Sequence, residues 1–135
     1  MKFFRLTCLL AAISALAAPL KAQNQQPMTP EQQEKQLMEF IDKEVQRLTQ
    51  LLDLEYWQEF YVDSTLTHDY HAMGEELMKL RGAKVENSDL YVGVQDKWME
   101  QIDATYRRVF TEAQWKKYWK SGAERAQRTR DKRKK

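Results

Sequence analysis

Residues 37–52, LMEFIDKEVQRLTQLL, decide the fold class of this chain. Large apolar side chains recur there at intervals of three and four residues, on one narrow stripe: Leu37, Ile41, Val45, Leu48 and Leu52. That interval matches the 3.6-residue turn of an α-helix, and the charged residues between the apolar ones fall on the opposite side. The segment therefore predicts an amphipathic helix with one face against a core.

A helix-start signal precedes this segment and occurs twice more in the chain. Each copy has an apolar residue, a polar residue, two variable positions and a glutamine, in residues 28–32, 54–58 and 110–114. In the first and third copies, a threonine hydroxyl can accept a backbone N–H while the glutamine side chain returns a bond to the threonine. Such a cap stabilises a helix by about 1 kcal/mol. The predicted capping residues are Thr29, Gln32, Gln58, Thr111 and Gln114.

Three further helices follow from the same kind of pattern. The second is predicted to begin at Asp53 or Leu54 and to end at Arg81, before a short polar loop. The third carries an apolar stripe, and the fourth begins at the third start signal; no segment alternates as a half-buried strand would. The sequence thus predicts an all-α fold, a small four-helix bundle or hooked helical hairpin over residues 29–122. Residues 123–135 are predicted to form a basic tail, helical or disordered.

The N-terminus has the order of a secretory signal peptide. Lys2 and Arg5 precede an apolar run at residues 9–18, and small residues lead to Ala22 before a polar stretch. We predict a signal peptide over residues 1–22, a disordered leader over 23–28, and a periplasmic or secreted protein. The single cysteine, Cys8, lies in the predicted signal peptide, so the mature chain would have no thiol for disulfides, catalysis or metal binding.

Charge is distributed unevenly along the predicted mature chain. After Ala22 there are 19 Lys and Arg against 20 Asp and Glu, and residues 116–135 hold 10 of the basic residues but only two of the acidic ones. Nucleic acid is not an expected partner of an exported protein. The tail is expected to be solvated. The alternatives are contact with anionic lipid head groups or surface polysaccharide, and closure onto the acidic body.

The three start signals resemble the LTxxQ motif of the Spy and CpxP family of periplasmic stress proteins. The copies differ from that motif in having Glu55 at the threonine position and Met28 and Phe110 at the leucine position. The resemblance implies a four-helix, hairpin-like protomer that dimerises into a curved cradle and shelters unfolding proteins without ATP. It also implies that some relatives sense or sequester metals.

An aromatic cluster follows the second start signal: Tyr56, Trp57, Phe60 and Tyr61. Aromatic residues at helical spacing usually belong to a core, and a small protein needs its core. The alternative is an exposed platform that contacts apolar segments of other proteins. If the protein binds unfolded clients, these four residues are the predicted binding site.

A second cluster suggests metal binding. On a helix, His68, His71 and Glu75 share a stripe, and imidazole and carboxylate groups suit Zn or Cu. The alternative is that the two histidines form ordinary hydrogen bonds on a polar helix face. No fourth ligand can be identified from the sequence.

No catalytic constellation can be assembled from the mature chain. It has no cysteine, its two histidines are three residues apart, and its serines lie in no nucleophile motif. We therefore expect a non-enzymatic binding protein of the cell envelope, acting as an ATP-independent chaperone on unfolded or envelope proteins, with a homodimer as a possible assembly. The alternatives are a metal-binding or metal-sensing module and a structural adaptor for one envelope partner.

Overall fold

The computed structural model describes residues 27–135, in which helices are joined by short turns and no strand occurs. None of the helices in this range is long and apolar enough to cross a membrane. The predicted signal peptide, and residues 23–26 of the predicted leader, lie outside the described residues. The helices are α1 (Pro30–Leu52), α2 (Tyr56–Gly82), α3 (Ser88–Val109), α4 (Glu112–Tyr118) and α5 (Glu124–Arg133). The predicted all-α class is confirmed.

The core lies at the end of the molecule that contains two turns, the one between α1 and α2 and the one between α3 and α4. The apolar stripe of α1 supplies Ile41, Leu48 and Leu52, all buried, which confirms the amphipathic pattern. Burying one such aliphatic side chain stabilises the fold by about 1.5–3 kcal/mol. The remaining buried apolar residues come from α2, α3, α4 and the turns between helices: Leu54, Val62, Leu66, Ile102, Tyr106, Phe110 and Tyr118.

Short turns make neighbouring helices antiparallel. α2 packs against α1 on one side and α3 on the other, and α4 closes the bundle by packing on α1. At about 1.5 Å per residue, the 27-residue α2 is roughly 40 Å long, so it extends beyond the core. Beyond the His71–Glu34 contact with α1, the last turns of α2 pair with the first half of α3, for example through the Glu76–Lys97 ion pair, and form a distal helical arm.

The turn between α1 and α2 is longer than the sequence predicts. Asp53 has a left-handed backbone with φ of 52° and ends α1, and Leu54 is buried in the core. Glu55 is extended and precedes the helix, so α2 begins at Tyr56 instead of Asp53 or Leu54. Helix α2 begins later than predicted because the chain must reverse direction here while the Leu54 side chain reaches the core.

The basic tail folds back onto the bundle. After α4, residues 119–123 form a wide turn in which Gly122 has φ of 140°, a conformation that side-chain-bearing residues rarely adopt. The kink directs α5 along α3. The helical form of the tail is therefore the one observed, and the expectation of a solvated tail is wrong at Arg130, which is buried.

An acidic stripe on α3 receives the basic residues of the tail. Arg133 contacts Asp96 at 2.6 Å, and Arg130 contacts the buried Asp103 at 2.6 Å. The Tyr118 hydroxyl donates to the other oxygen of Asp103, also at 2.6 Å. Burial, followed by the charge of Asp103, raises the pKa of Tyr118, so this hydroxyl stays protonated and remains a donor.

Candidate binding surface

The aromatic cluster of α2 faces solvent. Tyr56 is 86% exposed, Trp57 49%, Phe60 62% and Tyr61 52%. The expectation that these residues belong mainly to the core is therefore wrong, and the exposed-platform alternative describes their position. We call these four residues the aromatic face. By contrast, Tyr118 is buried, and three other aromatic residues are partly buried: Trp98, Trp115 and Trp119.

The sequence of α2 explains why these rings point outward. The buried side of the helix is formed by Gln58, Val62, Leu66 and Asp69, which recur at intervals of three and four residues. Since each residue advances the helix by about 100°, positions 56, 57, 60 and 61 fall on the remaining sides. Helix α2 thus has apolar residues both toward the core and away from it, and only the first set is covered.

Three rings of the aromatic face contact one another. The centroid of Tyr61 lies 6.2 Å from that of Trp57 and 6.0 Å from that of Phe60, both in edge-to-face geometry. The indole Nε1 of Trp57 donates to a carboxylate oxygen of Glu55 at 2.6 Å. Contacts of this kind reduce the rotamer freedom that these side chains would lose on binding a partner.

An open groove borders the aromatic face on the side of α1. It is lined by Tyr56 and Phe60, by three carboxylates (Asp42, Glu59 and Asp63), and by Val45 and Gln46. None of the three carboxylates takes part in an ion pair within residues 27–135. We call this feature the acidic groove. Together the two features combine apolar rings with uncompensated negative charge.

Two glutamines of the start signals meet on the buried side of the first turn of α2. The side-chain amides of Gln58 and Gln114 bond each other reciprocally, with Nε2 to Oε1 distances of 2.7 and 3.1 Å. Each Oε1 also accepts the backbone N–H at the start of its own helix, from Glu55 at 3.0 Å and Thr111 at 2.9 Å. We call this pair the glutamine clasp.

The clasp also satisfies carbonyl groups at two helix ends. Gln58 Nε2 donates to Val109 O at 3.0 Å, at the end of α3, and Gln114 Nε2 donates to Leu52 O at 3.3 Å, at the end of α1. Terminal carbonyls of a helix lack partners within the helix itself. Each amide therefore uses its two acceptor and two donor positions, and four helix ends are joined at one point.

The first start signal has no such role. Gln32 and Thr29 form the predicted capping box, with distances of 3.0 and 3.2 Å, but both residues are exposed. The predicted capping box at Thr111 and Gln114 is likewise confirmed. Three similar motifs thus differ in function within the fold, and only the second and third copies form the clasp.

The two histidines make separate hydrogen bonds. His68 Nδ1 lies 2.7 Å from Asp69 Oδ1, whereas His71 reaches across to α1, where its Nε2 lies 3.0 Å from a carboxylate oxygen of Glu34. Among residues 27–135, no three His, Cys, Asp or Glu side chains come together in a group able to hold a metal ion. Metal binding by His68, His71 and Glu75 stays a prediction.

The contacts of His71 predict a pH dependence. The backbone carbonyl of Thr67, which accepts from Nδ1 at 2.6 Å, and then the carboxylate of Glu34 raise the pKa of His71 above its ordinary 6.5. A histidine whose pKa is raised by folding stabilises the fold fully below pH 6.5 and loses that contribution as pH rises through its folded-state pKa. Because the imidazole is partly exposed, we expect less than about 1 kcal/mol.

An NMR titration of the imidazole checks this expectation. We expect the pKa of His71 to lie above 6.5 and to fall in Glu34→Gln, although the Thr67 contact would keep part of the increase. Equal pKa values in the two proteins would show that the His71–Glu34 contact does not form in solution.

Comparisons with known proteins return no relatives: no family model, no curated protein and no solved structure matches this chain.

Proposed function

We propose that this protein is exported to the cell envelope and binds unfolded or misplaced proteins there without ATP. The exposed aromatic face of α2 is the observation that supports this function. Contiguous exposed apolar surface on a small protein usually marks an interaction site. Aromatic side chains contribute large contact areas at interfaces. They have only two rotatable side-chain bonds, so they lose little conformational entropy when a partner binds.

The surroundings of the aromatic face also support the proposal. The face lies on the first two turns of α2, and the glutamine clasp fixes the start of that helix to three other helix ends. A rigidly held surface loses little conformational entropy when a partner binds. The three start signals, with their resemblance to the LTxxQ motif, and the predicted signal peptide are consistent with a periplasmic role.

Aggregation of a chemically unfolded model protein tests the proposal. Residues 23–135 should suppress the light scattering of that protein, and the double variant Trp57→Ala/Phe60→Ala should suppress it poorly. Loss of two aromatic contacts is expected to weaken binding by about ten-fold or more. Both side chains are exposed, so the variant should fold normally, which far-UV circular dichroism and a thermal melt would check.

A matched control is available on the same helix. Met78 is 67% exposed, lies on the distal arm and is remote in sequence from the aromatic face. Met78→Ala should suppress aggregation as well as the parent protein. No suppression by the parent at several-fold molar excess would refute the chaperone proposal, and one tight stoichiometric complex in pull-downs would favour a dedicated envelope partner.

A further inference from the structure

The acidic groove indicates which segments of an unfolded protein this surface would select. We propose that the acidic groove and the aromatic face together bind cationic amphipathic segments of non-native proteins. The apolar side chains of such a segment contact the rings, and its Lys or Arg side chains reach the groove carboxylates. This inference rests on the function proposed above and adds a preference for charge.

The geometry places the two kinds of contact side by side. Tyr56 and Phe60 line the acidic groove and also belong to the aromatic face, so one bound segment would meet both features. Glu59 and Asp63 are one helical turn apart on α2, and Asp42 faces them from α1. A bound segment lying along the groove would therefore pass between carboxylates on both sides.

No basic side chain of this part of the fold neutralises the groove. On α1, Arg47 is held by Glu44 of the same helix through contacts of 2.6 and 2.8 Å. Lys43 forms no ion pair within residues 27–135. Within the basic tail, Arg128 pairs with Glu124, and the other ion pairs of the tail are made with Asp96, Glu100 and Asp103 of α3.

Charge complementarity decides between possible occupants. An acidic segment would place like charges against three carboxylates, and a neutral apolar segment would leave them without partners. A cationic amphipathic segment would place its apolar side chains on the aromatic face and its basic side chains beside the carboxylates of the acidic groove. Such complementarity changes specificity and association rate more than it changes total affinity, and it weakens with salt over a screening length of about 8 Å at physiological ionic strength.

Two model peptides test the preference. They share one amphipathic sequence with an aromatic and leucine face, and differ only in having Lys or Glu at the polar positions. Fluorescence anisotropy with residues 23–135 at low ionic strength should give at least about ten-fold tighter binding of the Lys peptide, since three exposed ion pairs contribute modestly each. The difference should shrink as salt is added.

Isosteric variants locate the effect. Asp42→Asn/Glu59→Gln/Asp63→Asn should abolish the preference for the Lys peptide. The matched control Glu31→Gln/Glu75→Gln/Glu86→Gln removes the same number of charges at exposed positions away from the groove and should retain most of the preference. If the two triple variants lose the preference equally, net charge alone explains it and the groove assignment is overturned.

The outcomes separate this inference from the proposed function. Equal binding of both peptides, lost in Trp57→Ala/Phe60→Ala, would overturn the charge preference and leave the aromatic binding site standing. Failure of both peptides to bind, together with no suppression of aggregation, would count against the aromatic binding site itself.

Discussion

Replacing Gln58 by alanine is expected to lower the free energy of unfolding by about 3 kcal/mol. The Gln58 side chain is buried and makes four hydrogen bonds in the glutamine clasp. Its removal leaves the Val109 carbonyl, the Glu55 N–H and half of the Gln114 amide without partners. Each unsatisfied buried group costs about 1–3 kcal/mol, and a cavity adds to the loss.

Gln32→Ala is the matched control for this prediction. Gln32 occupies the same place in its start signal but is exposed and makes only the local bond to Thr29. Its replacement should cost no more than about 1 kcal/mol. Urea unfolding followed by tryptophan fluorescence would measure both values. Equal effects of the two substitutions would mean that the clasp is no more than a pair of ordinary helix caps.

A double-mutant cycle isolates the contact between the two amides. Because Gln58 and Gln114 bond each other directly, Gln58→Ala and Gln114→Ala should not be additive, and the coupling energy should be at least about 1 kcal/mol. Additive effects would indicate that the two glutamines act on their own helices independently.

Replacing Asp103 by alanine is expected to cost about 3 kcal/mol and to release α5. Asp103 is the buried partner of Arg130 and also accepts from Tyr118. Removing one member of a buried ion pair typically costs about 3–5 kcal/mol, because the other charge stays buried without its partner. Glu100, 3.9 Å from Arg130 Nε, should offset part of that cost. Helix α5 has no large apolar side chain to hold it on α3, so the loss of Asp103 should favour detachment of α5 and exposure of Arg130 to water.

Limited trypsin digestion, followed by mass spectrometry, would detect that release. The α5 segment contains many Lys and Arg residues, so a detached tail should be cut much faster than the docked one. Asp96→Ala is the control, because the Asp96–Arg133 pair lies nearer the surface and its loss should cost less than about 1 kcal/mol. Protection of α5 in Asp103→Ala would show that the buried ion pair does not hold the tail.

Local features of this fold could be predicted from the sequence. The capping boxes at Thr29 and Thr111 and the buried stripe of α1 depend on residues within a few positions of one another. Periodicity and capping chemistry describe such short-range interactions well. The start of α2 was predicted less well, because the backbone at Asp53 and the burial of Leu54 depend on where α1 meets the core.

Features that depend on packing between distant segments could not be predicted in the same way. The second and third start signals look alike in sequence, but only the fold brings Gln58 within 2.7 Å of Gln114. The outward position of the aromatic face was also ambiguous, because α2 has apolar residues on two sides. The sequence does carry a signal for the docked tail, because Asp96, Glu100 and Asp103 form an acidic stripe on α3 opposite in charge to the tail.

The binding surface itself is tested most directly by NMR. Backbone amide spectra of residues 23–135, titrated with a permanently unfolded protein, should show the largest changes at residues 56–63 of α2 and at neighbouring positions 42–46 of α1. The distal arm around Met78 and the docked α5 should change little. Changes concentrated on α5 or the distal arm, with the aromatic face unaffected, would contradict the claim that this face binds unfolded proteins.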